Sequence, residues 1–127
     1  MKKVFISFDF NNDEFLRYAL VGQSKKNQSP FEIIDRSLKN HLVGDWKAKV
    51  RSRIDKTDIV IVLCGEKTHE ANGVAIELLI TKDLQKPYFL LNGYAGKICT
   101  KPASATEADK IYKWTWENLE KLIKGNR

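Results

Sequence analysis

The chain has two cysteines, two histidines, three prolines and one methionine among its 127 residues, and these shortages exclude several classes of function. Cys64 and Cys99 are far apart in sequence and lack metal-ligand spacing. They read as free or buried thiols rather than as a disulfide or a zinc site, and no metal is expected. His41 and His69 are isolated, with no serine or cysteine in a recognisable nucleophile setting, so nothing specific supports a hydrolytic triad. No stretch approaches the roughly 20 apolar residues of a membrane span. The start, Met1-Lys2-Lys3-Val4-Phe5-Ile6, breaks into polar residues before a signal-peptide core can form, which points to a cytoplasmic protein with no membrane role. Low-complexity tracts and repeats at solenoid spacing are missing too.

What is present is the composition of one soluble globular domain spanning 1–127, with 43% apolar and 30% charged residues. The net charge of +6 invites a nucleic-acid reading, but the basic residues are scattered. Lys25, Lys26, Lys47, Lys49, Arg51, Arg53, Lys121, Lys124 and Arg127 fall in a loop, on a helix face and in the tail, with acidic residues between many of them. A solvated surface, or a modest field for an anionic small molecule, explains them better than a nucleic-acid interface.

Strand and helix patterns alternate along the chain. Lys3 to Phe8 has strand character, and Asn11-Asn12-Asp13-Glu14 starts a helix whose apolar stripe reads Phe15, Tyr18, Ala19 and Leu20. Phe31 to Ile34 is a second strand, followed by a long loop, Asp35 to Gly44, and by a helix with Trp46, Val50 and Ile54 on its core stripe. The run from Asp58 to Cys64 shows no alternation, as a central parallel strand buried on both faces requires. A helix to about Gln85 follows, stopped by Lys86-Pro87, and Tyr88 to Leu91 is a fourth strand. Any fifth strand is short and falls between Asn92 and Ala105, and Thr106 to Lys124 reads as a final helix glued to the sheet by Trp114 and Trp116. This order specifies an open α/β sandwich with a central, mostly parallel sheet of four to five strands. Ligands in such sheets lie beyond the carboxyl ends of the strands. The segments at that edge are Phe8 to Asp13, Asp35 to Gly44, Gly65 to Asn72, and Asn92 to Gly96.

One residue breaks the apolar pattern in a helix close to that edge. Glu77 interrupts Val74-Ala75-Ile76-Glu77-Leu78-Leu79-Ile80. Desolvating an ionised carboxylate costs several kcal/mol unless it is paired, hydrogen-bonded or beside a wet cavity. Glu77 therefore pairs with a cation, points outward, or lines a pocket and reacts there. The rest of the edge narrows the chemistry. The first loop, Asp9-Phe10-Asn11-Asn12-Asp13-Glu14, carries acids where a phosphate cradle needs glycines and free amides. Strand three ends Leu63-Cys64-Gly65, without the aspartate of a phosphoacceptor.

The series Val4-Phe5-Ile6-Ser7-Phe8-Asp9, then Trp46 with Val50, Arg51 and Ile54, then Ile59-Val60-Ile61-Val62-Leu63-Cys64-Gly65-Glu66-Lys67-Thr68, then Gly73-Val74-Ala75-Ile76-Glu77-Leu78, resembles the TIR-like family of the TIR subunit of Thoeris antiphage defence. The resemblance runs from about Lys3 to Leu91, and the aromatic end from Ile111 to Trp116 looks like a small-sized branch of that family. It implies a flavodoxin-like fold and, in catalytic members, cleavage of the nicotinamide–ribose bond of NAD, which is substrate rather than cofactor. The family's catalytic glutamate matches Glu77. The resemblance also places Ser7, Phe8 and Asp9 around the nicotinamide ribose. It makes Asp35 and Ser37 the start of a loop, 35–44, that covers NAD and mediates self-association, and it sets Thr68 and His69 just before the catalytic helix. Plainer roles stand beside these: turn caps for Asp35 and Ser37, core for Phe8, surface for His69. The products implied are ADP-ribose or a cyclic ADP-ribose isomer acting as a signal, which a separate effector protein would sense. The same resemblance allows a non-catalytic scaffold that works through self-association.

Overall fold

The computed structural model describes residues 1–37 and 44–126. The unbroken apolar run becomes the centre of the molecule: β3 (Ile59–Cys64) is buried at every position. β1 (Lys2–Ser7) pairs on one side of it and β4 (Tyr88–Asn92) on the other, while β2 (Phe31–Arg36) and β5 (Ile111–Lys113) are the edges. All pairings in the order β2-β1-β3-β4-β5 are parallel.

Because successive side chains of a strand point to opposite faces, β3 feeds two cores. Ile59, Ile61 and Leu63 join Val4, Ile6, Phe89 and Leu91 under α1 (Glu14–Ser24) and α4 (Trp116–Ile123). Val60, Val62 and Cys64 join Phe5 and Leu90 under α2 (Trp46–Asp55) and α3 (Asn72–Asp83). The result is a three-layer sandwich of the flavodoxin-like type. Each fully buried aliphatic or aromatic side chain contributes about 1.5–3 kcal/mol of transfer free energy, so the two-sided β3 is the principal anchor. Trp46, Val50 and Ile54 are buried on one stripe of α2, as the sequence predicts.

Four expectations need correction. The segment from Thr106 to Lys124 is not one helix: Ile111–Lys113 is the fifth strand, paired to β4, and α4 begins only at Trp116. The side chain of Thr115 caps α4 by accepting the Asn118 amide, which fixes that start. The fifth strand accordingly lies after the stretch Asn92 to Ala105 rather than within it. In addition, α1 turns Leu16 and Leu20 inward and leaves Phe15 and Tyr18 largely exposed. Two adjacent stripes of that helix are apolar, and the buried one lies a residue away from Phe15. β2 also runs on to Arg36, so Asp35 belongs to the strand, paired with Phe5, rather than to the start of a loop; the remainder of the expected loop 35–44 lies mostly in 38–43, outside the described residues.

Candidate active site

A cavity of about 330 Å³ opens at the carboxyl end of the sheet, where β1 has β2 on one side and β3 on the other. This is the place the fold class reserves for ligands. Its wall comes from the loop after β1 (Phe8, Asp9, Phe10, Asn11, Asn12), the end of β2 (Ser37), the start of α2 (Trp46), and the residues from Glu70 through the first turns of α3 to Glu77.

Glu77 is 1% exposed. It is neither paired with a cation nor turned outward: among the described residues no Lys, Arg or His lies within ion-pair distance of it. Two serines hold it instead. Ser7 Oγ donates to Oε1 at 2.6 Å and Ser37 Oγ donates to the same oxygen at 2.5 Å. Ser37 Oγ in turn accepts the Phe8 amide at 3.0 Å. The other oxygen, Oε2, is buried and has no hydrogen-bond partner among the described residues. Burial pushes the Glu77 carboxyl up to about 8, against the opposing pull of the Ser37 and Ser7 hydroxyls.

The rest of the wall combines aromatic and acidic side chains with the amides of Asn11, Asn12 and Asn72 and the small Ala71, Gly73 and Val74. The rings of Phe8 and Phe10 pack at 4.4 Å between centroids. Trp46 belongs to the core under α2 and to the cavity wall at once. Asp9 and Glu70 are the other titratable groups on the wall, which carries no Lys, Arg or His among the described residues. Asp9 also organises its own loop, accepting the Asn11 amide at 3.0 Å and the Asn12 side-chain amide at 2.7 Å. A wall of this kind suits a ligand with an aromatic, cationic portion.

Of the residues singled out in the sequence, the fold brings Ser7, Phe8, Asp9, Ser37 and Glu77 together. Asp35 stands outside the wall, paired with Arg53 at 2.8 Å. Thr68 is buried one turn before α3 and accepts the Gly65 amide, and exposed His69 bonds to Thr100; neither lines the cavity. Phe10, Asn11, Asn12 and Glu70 join the wall without having been singled out, although their segments belong to the expected edge. Among the described residues no cluster of His, Cys, Asp or Glu is placed to hold a metal ion, and no helix is long and apolar enough to cross a membrane.

No curated protein matches the sequence. Among solved structures, a prokaryotic SEFIR domain superposes with a TM-score of 0.61 over 97% of this chain and 92% of its own, at 21% identity, a likeness of fold alone. The family profile described as the Thoeris protein ThsB, TIR-like domain, matches residues 5–92, from β1 through β4, including Ser7, Ser37 and Glu77. With that match over more than half its length, the chain belongs to the TIR-like domain family of the Thoeris protein ThsB.

Proposed function

We propose that this protein cleaves the nicotinamide–ribose bond of NAD and releases a cyclic ADP-ribose-type signal, or ADP-ribose, in antiphage defence. The observation that carries the reading is Glu77 Oε2, a buried carboxyl oxygen with no hydrogen-bond partner among the described residues, on a cavity wall where those residues place no Lys, Arg or His. A ribose hydroxyl of NAD would satisfy that oxygen, and the pyridinium ring would meet the acidic and aromatic side chains of the wall.

One carboxylate is enough for this chemistry. Ordinary glycosidases need an acid to protonate the leaving group, whereas nicotinamide leaves a pyridinium glycoside as a neutral molecule. As the C–N bond breaks, the ribose carbon becomes oxocarbenium-like, and an ionised Glu77 opposes that charge at short range in a low-dielectric site. The cation is then captured by water, giving ADP-ribose, or by the adenine or a ribose hydroxyl, giving a cyclic isomer. When an O–H captures it, Glu77 takes the proton released. Ionised Glu77 is the working form, so turnover falls as pH drops below the carboxyl's raised value.

The test is incubation with NAD followed by chromatography, using concentrated protein and, separately, lysate of phage-infected cells. Nicotinamide and an ADP-ribose species should appear together. Intact NAD under both conditions would leave the non-catalytic scaffold, which acts by self-association, as the function of the domain. A product signal would also require a separate effector to bind it.

A further inference from the structure

The hydrogen bonds around Glu77 are lopsided. Both hydroxyls that reach it end on Oε1, from different elements: Ser7 from the last position of β1 and Ser37 from just beyond β2. A carboxyl oxygen has two lone pairs, so two donors fill Oε1 and a proton on the neutral acid has to sit on Oε2. Once that proton leaves, Oε2 becomes an open acceptor while Oε1 stays fully solvated by the protein.

The direction of the Ser37 bond is fixed by its neighbours. Its oxygen receives the Phe8 amide at 3.0 Å, which commits a lone pair and turns the hydroxyl proton elsewhere. Among the described residues the two acceptors within reach are Glu77 Oε1 at 2.5 Å and the Ile6 carbonyl at 3.5 Å, and the shorter bond prevails. The Ser37 backbone is pinned as well, its amide donating to the Ile6 carbonyl at 2.8 Å. Phe8 amide, Ser37 hydroxyl and Glu77 thus form a directed chain between β1 and α3.

We propose that Ser7 and Ser37 are positioning residues that act through Glu77, holding its carboxyl by Oε1 so that Oε2 is the oxygen presented to substrate and the one that carries and releases the proton. The proposal rests on the reading of Glu77 as the reacting carboxylate. Among the described residues, no other side chain donates a hydrogen bond to the Glu77 carboxyl. The loop after β1 offers Asp9 and the turn before α3 offers Glu70, both acids. β3 offers only the Cys64 thiol among apolar side chains, and α2 presents Trp46 to the cavity. Burial raises the affinity of Glu77 for its proton, and the two serines hold that rise in check.

The test titrates Glu77 directly. The C=O stretch of the protonated carboxyl is isolated by subtracting the infrared spectrum of the Glu77→Gln protein, then followed against pH in the parent, Ser7→Ala, Ser37→Ala and Ser37→Thr. Losing one hydrogen bond to a charged oxygen should lower the acid constant of Glu77 by about tenfold in either alanine variant. Ser37→Thr, which keeps the hydroxyl, should titrate within about twofold of the parent. Acid constants unchanged in the alanine variants would overturn the proposal, and so would a threonine variant that titrates like the alanine. If Ser37→Ala does not fold, Ser7→Ala, on the other element, decides alone. In parallel, NAD turnover by the alanine variants should lose kcat more than it raises KM, with the acid limb of the pH profile moved upward. Absence of NAD turnover in the parent would remove the enzymatic reading and leave the infrared titration to judge the serines.

Discussion

Helix α3 carries two side chains that end in opposite kinds of site. Midway along it, Glu77 is buried against two neutral hydroxyls, with Oε2 unpartnered among the described residues. Near its end, Lys82 meets a second buried carboxylate, Asp109, at 2.8 Å; Asp109 also accepts the Tyr88 hydroxyl and, at 2.9 Å, the Thr106 amide. Burial alone would raise Asp109, but Lys82, Tyr88 and Thr106 pull it down to about 2, whereas Glu77 is left at about 8. Asp109 ties the segment before β5 to α3 and β4 with its charge fully compensated. Glu77 has a charge the fold does little to compensate, and an uncompensated carboxylate on a cavity wall marks a site of chemistry rather than of cohesion.

The sharpest way to break this contrast is Lys82→Met, which keeps the stem of the side chain and deletes its cation. Asp109 then stays buried without its charge partner, and the protein should lose about 2–3 kcal/mol, less than a fully enclosed pair because Lys82 is part exposed. Urea melts would show it. A loss within error would mean that Asp109 contributes no more to cohesion than Glu77.

A third buried carboxylate sharpens the comparison. Asp13 precedes α1 without a side-chain cap bond, and its Oδ1 accepts the Tyr94 hydroxyl at 3.1 Å while Oδ2 has no partner among the described residues. Burial raises it, the Tyr94 bond lowers it, and nearby Asp9 and Glu66 raise it further. It lies outside the cavity wall, however, pressed against Gly65: a Cβ at that position would come within 2.4 Å of both its oxygens. Gly65→Ala should therefore cost about 1–3 kcal/mol through overpacking, while leaving the cavity intact. A neutral outcome would show that the Asp13 carboxylate swings away freely.

The fold was legible where the chemistry is local. β3 announced itself by an unbroken apolar run, and Glu77 by being the one charge among six aliphatic neighbours. The fifth strand, expected between Asn92 and Ala105, lies later because Ile111, Trp114, Leu119 and Leu122 mimic helical spacing; the pairing of Ile111 with Leu90 on β4 is a tertiary fact that no local pattern records. Thr115 before Asn118 was the available signal for the later helix start. The site was legible by half. The resemblance points to Ser7 at the end of the first strand and Ser37 in the loop after the second, but their shared grip on Glu77 spans 70 and 40 residues of sequence. The salt bridge between Lys82 and Asp109 is likewise a long-range contact, between a helix and the loop before β5. Spacing along the chain carries no information about such bonds.

The measurement that bears most directly on the account is Glu77→Gln, followed by melting temperature across pH and by NAD turnover on the same samples. In the parent, folded Glu77 keeps its proton from its ordinary 4.5 up to about 8 while the unfolded chain has lost it. Its contribution to stability is therefore intact below pH 4.5 and falls away as pH rises through that window, by a few kcal/mol in all. The glutamine protein should lose that slope, melting no lower than the parent at neutral pH and higher above pH 8, while turnover drops by at least about a hundredfold. A glutamine protein that is destabilised yet still cleaves NAD would contradict the account, making Glu77 a structural carboxylate like Asp109.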